Sequence, residues 1–85
     1  MDVKEIVYHP KALKTLSRML RNTSERVQSK VRAYAVDPRS QANNIKAMSD
    51  GISIRLRVGD WRVIMQDHEV LDVSEIGPRG SIYED

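Results

Sequence analysis

Three arginines fall at alternate positions around one dipeptide: Arg55 and Arg57 precede Gly59-Asp60, and Arg62 follows it. Ile52, Ile54, Leu56 and Val58 alternate with Ser53, Arg55 and Arg57; Trp61, Val63 and Met65 then alternate with Arg62, Ile64 and Gln66. A period of two is that of a half-buried strand, and Gly-Asp is a favoured two-residue hairpin loop. That loop sets Val58 against Trp61, Arg57 against Arg62, Leu56 against Val63, Arg55 against Ile64 and Ile54 against Met65. One face takes Ile54, Leu56, Val58, Trp61, Val63 and Met65 into the core, and Arg55, Arg57 and Arg62 share the other. Like charges directly opposite cost a few tenths to roughly 1 kcal/mol. In exchange, two or three guanidinium groups on one open face make a phosphate cradle, because each presents a planar fork of donors.

An ordinary salt-bridge ladder is the competing explanation. Glu75 lies on the next strand and neighbours Arg62 in some registers, and the turn at 67–69 can be cut in more than one way. Beyond that strand, Gly77-Pro78 and Gly80 bring Arg79 round a tight bend. Tyr83, one of four aromatic residues, either pins the chain end to the core or stacks on an unpaired base beside the arginines. Lys46 joins Arg55 and Arg57 as a candidate RNA-phosphate contact. Asp67-His68-Glu69 reads as a solvated turn, His9 as a helix-start residue, and Met48 and Met65 as core. No glycine-rich phosphate loop, HExxH or Ser-His-Asp arrangement is present.

The elements that must position these side chains follow from spacing. Lys4 to Tyr8 is a short strand, ended by His9-Pro10. From Pro10, a residue suited to the first helical turn, Leu13, Leu16, Met19 and Leu20 recur at helical spacing. Asn22 with Glu25 three residues on has capping-box spacing and predicts a break there. A second helix carries Val27, Val31, Tyr34 and Ala35 on one stripe and stops at Asp37-Pro38. Residues 39–51 read as a polar connection anchored by Ile45 and Met48, and Val70 to Ile76 as the last strand. The expected order is β-α-α-β-β-β. It gives an α+β domain over residues 1–85, a mostly antiparallel sheet packed on one face by a two-helix hairpin.

Composition bounds the function. Eighty-five residues form one small domain with little room for a deep cavity. The absence of cysteine removes disulfides, thiol catalysis and cysteine-based zinc sites, and two histidines support no histidine-rich metal site. Neither a metal nor another cofactor is expected. Apolar runs are far shorter than the ~20 residues a bilayer needs, and the amino terminus does not resemble a signal peptide, so a cytoplasmic location without membrane association is expected. The net charge is only +2. Residues 1–65 nevertheless balance at +7 and residues 66–85 at −5, which suggests a polyanionic partner met by one surface.

Three stretches, Pro10-Lys11-Ala12-Leu13-Lys14-Thr15-Leu16, the run from Ile54 to Ile64 and the ending from Ile76 to Tyr83, resemble the RelE/ParE toxin superfamily of bacterial toxin–antitoxin pairs. The resemblance covers nearly the whole chain, and its most specific part is Arg57-Val58-Gly59-Asp60-Trp61-Arg62. It implies one of two activities. RelE-like members cut messenger RNA in the ribosomal A site without a metal, the 2′-hydroxyl attacking the adjacent phosphate. ParE-like members inhibit DNA gyrase and catalyse nothing. The RelE-like branch is favoured here, with Arg62 and Arg79 on the scissile phosphate, Tyr83 orienting the base or moving a proton, and Arg55 and Arg57 binding RNA. It also implies a cognate antitoxin, expected to be acidic in its toxin-binding segment. Ser53 stands where RelE-type sites often place a lysine, and Pro78 where related toxins place a histidine. Arginine is effectively always protonated, so such a site would rest on positioning and electrostatic stabilisation.

Overall fold

The apolar period changes from helical to alternating after residue 51, and the architecture follows that change. The computed structural model describes residues 3–80. Strand β1 (Ile6–Tyr8) leads into helices α1 (Pro10–Arg18) and α2 (Arg21–Val36). A 3₁₀ segment (Pro38–Asn44) follows, then strands β2 (Ile45–Ala47), β3 (Ser53–Val58), β4 (Trp61–Asp67) and β5 (Leu71–Pro78). The sheet order is β1-β5-β4-β3-β2; β1 is parallel to β5 and the other neighbours are antiparallel. This is the expected α+β plan with one addition, the edge strand β2. Three residues with a lysine in the middle carry too little alternation to announce a strand.

Both helices pack on one face of the sheet. Ala12 and Leu16 of α1 and Val27, Val31, Tyr34 and Ala35 of α2 meet Leu56, Val58, Val63, Met65, Leu71, Val73 and Ile76. Leu56, Val63 and Met65 have no exposed surface; truncating Leu56 to Ala leaves a cavity and costs ~2–5 kcal/mol. The helix-1 stripe is narrower than its spacing predicts. Leu13 is 52% and Leu20 76% exposed, so Ala12 and Leu16 carry the burial.

The break between the helices also differs from expectation. It falls at Met19 and Leu20, both outside the helical conformation, and Leu20 is an N-cap with no side-chain cap. Asn22, Thr23 and Ser24 are already helical. Met19 leaves α1 to pack, partly buried, against the core, a tertiary contact that competes with the local polar cap offered by Asn22 and Glu25. The stop at Asp37-Pro38 is as expected: α2 ends at Val36, and the Asp37 carboxylate accepts the Arg39 N–H at 3.1 Å.

Asp67 is exposed, as its neighbours suggest, but it ends β4 and holds two partners. Its carboxylate accepts the Tyr34 hydroxyl at 2.8 Å and pairs with Lys4. Burial alone would raise the Asp67 pKa, but the Lys4 and Tyr34 donors prevail and hold it below the usual value. Burial and the Asp67 acceptor together push Tyr34 up to about 12. These contacts clamp α2 and the chain before β1 to the end of β4.

Candidate functional site

Gly59 and Asp60 turn β3 into β4. Gly59 has φ 58°, and Asp60 is not at positive φ, the pattern of a type II′ turn with glycine first. The pairing is the one the loop predicts, from Val58 opposite Trp61 to Ile54 opposite Met65, and Arg57 faces Arg62. On the far side of β4, Arg62 is opposite Gly77. Glu75 pairs in register with Ile64, beside an irregularity in the β4–β5 ladder, and its carboxylate meets Lys11 of α1 at 3.4 Å. The Glu75 ladder is thus built to α1 and not to Arg62.

The three hairpin arginines share a face, as expected, but they do not share one open surface. Arg57 is exposed, and its Nη2 donates to Asn44 Oδ1 at 3.1 Å. Arg62 is only 8% exposed; its Nη1 donates to the Gly59 and Trp61 carbonyls at 3.0 and 3.1 Å. Arg55 is half-buried, with Nη1 enclosed and without a hydrogen-bond partner among the described residues. Met48 and Ile64 form a small apolar cluster away from the main core. The carboxylate of Asp50, which accepts the Ile52 and Ser53 N–H groups at 2.9 and 2.8 Å, shapes the turn carrying Met48. Those two N–H donors hold Asp50 below the usual carboxylate range.

A cleft of about 590 Å³ opens at the hairpin tip, lined by Arg26, Lys30, Asn44, Arg57, Val58, Gly59, Asp60, Arg62 and Arg79. Arg79 reaches it because the chain turns sharply after β5 and the Arg79 N–H donates to the Asp60 carbonyl at 2.6 Å. The cleft therefore brings together Arg57, Arg62 and Arg79. Arg55 and Lys46 lie outside its lining, opposite each other on β3 and β2. Tyr83 lies outside the described residues. Sequence spacing did not reveal Arg26 and Lys30 of α2, or Asn44, which holds Arg57. The available signal was the pair of basic residues four apart, each preceding a buried valine of the α2 stripe.

Five cations and one carboxylate line this space. Arg26, Lys30, Arg57 and Arg79 make no ion pair among the described residues. Their shared field suits a polyanion, and the guanidinium forks suit phosphate oxygens. Among the described residues no three His, Asp or Glu side chains gather as metal ligands would. No described helix is long and apolar enough to cross a membrane.

No family model and no curated protein matches this sequence. Solved structures do. The RelE–RelB complex of the archaeon Pyrococcus horikoshii OT3 matches over 95% of this chain and all of its own, at 18% identity and TM-score 0.75. The isolated E. coli RelE toxin matches over 93% of this chain and 87% of its own, at 19% identity and TM-score 0.71. The toxin–antitoxin complex RelBE2 of Mycobacterium tuberculosis matches over 92% of this chain and all of its own, at 14% identity and TM-score 0.63. A five-stranded sheet with two helices on one face and an arginine-lined hairpin thus has the fold of the RelE toxins.

Proposed function

We propose that this protein is the toxin of a toxin–antitoxin pair and acts as a ribosome-dependent, metal-independent messenger-RNA endonuclease. The observation that carries this reading is the convergence of Arg57, Arg62 and Arg79 on one cleft at the hairpin tip. The RelE fold supports it, and two of the similar structures are complexes of a toxin with its antitoxin. In the reaction, the 2′-oxygen bonds to the adjacent phosphorus and loses its proton while the bond to the 5′-oxygen breaks. That oxygen leaves with a proton as a 5′-hydroxyl, and the other product ends in a 2′,3′-cyclic phosphate. Arg57, Arg62 and Arg79 stabilise the charge that builds on the non-bridging oxygens. Being permanently protonated they are poor bases, so Tyr83 and the ribosome are assigned the proton transfers. Arg55 and Lys46 contact RNA further along the sheet.

The test is to map transcript ends in a cell-free translation system. Wild-type protein is expected to give cuts within translated codons, with 5′-hydroxyl ends. Arg57→Ala, Arg79→Ala and Tyr83→Phe should each abolish them and relieve growth arrest. Inhibition of purified gyrase in a supercoiling assay, with no cleavage on programmed ribosomes, would replace this reading with that of a non-catalytic gyrase inhibitor.

The antitoxin is expected to cover part of the arginine cleft with acidic residues. Its affinity should fall as salt rises; an affinity indifferent to ionic strength counts against that masking.

A further inference from the structure

Arg26 and Lys30 sit four residues apart on α2, about 6 Å along the helix axis. Each directly precedes a fully buried residue, Val27 or Val31. Those valines fix the rotation of α2, so the two cations project along its flank and line the cleft with the hairpin arginines. The Arg26 guanidinium lies over the tip: a Cβ added at Gly59 would stand 3.7 Å from its Nη1. The only acid in the first two turns of α2, Glu25, is turned to Arg21 at 3.6 Å and compensates neither residue. A second hollow of about 270 Å³ shares Arg26, Val58, Gly59 and Asp60 with the cleft and runs on to Thr23 and Trp61. The two form one trough around the hairpin tip.

Building on the RNA-cleaving function above, we propose that Arg26 and Lys30 form a second phosphate subsite: a single RNA strand whose scissile phosphate lies at Arg57 and Arg79 continues round the tip and places a neighbouring phosphate on α2. Two cations held beside three arginines, with no partner of their own among the described residues, concentrate like charge in a way a solvated helix flank avoids. A strand spanning both walls supplies the missing counter-charge. Gly59 leaves the backbone of the tip bare where the strand crosses.

The test is binding of a fluorescently labelled, uncleavable 2′-O-methyl RNA oligonucleotide, followed by anisotropy over a salt series. For single strands, log K falls with log salt by about 0.7 for each phosphate neutralised. Arg26→Gln/Lys30→Gln is expected to flatten the slope by about 0.7, the share of the one phosphate the subsite holds, and to weaken binding, with an unchanged urea midpoint. Arg57→Gln/Arg79→Gln should do likewise. If the α2 variant keeps the wild-type slope while the hairpin variant loses it, the second subsite is wrong and the RNA-cleaving function stands. If the wild-type protein does not bind the oligonucleotide at the lowest salt, the subsite is overturned; the cleavage assay on programmed ribosomes then judges the function separately.

Discussion

Arg57 and Arg62 are register partners across β3 and β4, yet their guanidinium groups part company. Arg57 reaches sideways to Asn44 at the end of the 3₁₀ segment, and Arg62 folds back onto the carbonyls of Gly59 and Trp61. Two like charges placed opposite each other are thereby separated, one serving the cleft from its wall and the other also bracing the turn.

This division predicts different consequences for the two residues. Arg62→Ala strips a charged donor from two backbone carbonyls and should cost ~1–3 kcal/mol in urea unfolding. Arg57→Ala, at an exposed position, should stay within about 0.5 kcal/mol of wild type. Loss of activity in the Arg57 variant therefore reports on chemistry, whereas the Arg62 variant must be compared at equal folded fraction.

Gly59→Ala forces an ordinary residue to φ 58°. The left-handed conformation costs roughly 1–2 kcal/mol, and the new methyl group itself meets only ordinary contact with Arg26. Urea unfolding is expected to show a loss of that size.

Arg55→Met is expected to be neutral or stabilising. The arginine holds a buried Nη1 without a hydrogen bond among the described residues, and replacing an unsatisfied buried donor with an apolar chain of similar length removes a desolvation penalty. A urea midpoint falling by more than the equivalent of ~1 kcal/mol would show that Arg55 gains more from its surroundings than it loses by burial.

The Tyr34–Asp67 contact should contribute to both limbs of the pH dependence of stability, with Asp50 adding to the acid one. Asp67 has a lowered folded pKa, so its contribution is present above the unfolded carboxylate pKa and is lost as pH falls through the folded one. Tyr34 has a raised pKa, so its contribution is complete below pH 10 and disappears as pH rises towards about 12. Urea midpoints against pH should show both limbs. Tyr34→Phe should flatten the alkaline limb, and Asp67→Asn should weaken both.

Much of the site was legible because a two-residue loop leaves one register. Once Gly59-Asp60 is a hairpin tip, Arg57 must face Arg62 and Leu56 must face inward. The helix break was misplaced because Asn22 and Glu25 carry a strong local capping pattern, while the actual break at Met19 and Leu20 is set by a distant contact with the core. Arg26 and Lys30 went unseen for a related reason. Alternation assigns a residue to a face of its own element, but the position of α2 against the hairpin tip depends on how Val27 and Val31 seat on the sheet. Likewise, the Asn44 contact depends on the path of the 3₁₀ segment, which polar composition leaves open.

The single hydrogen bond from the Arg79 N–H to the Asp60 carbonyl works as a latch. It fastens the exit of the last strand to the bend between two others, so the side of the cleft that carries Arg79 stays beside the one that carries Arg57 while it holds. A side-chain replacement at residue 79 leaves this fastening intact; Arg79→Pro, which removes the amide hydrogen, undoes it and frees residue 79 while the β4–β5 ladder still holds the strand itself.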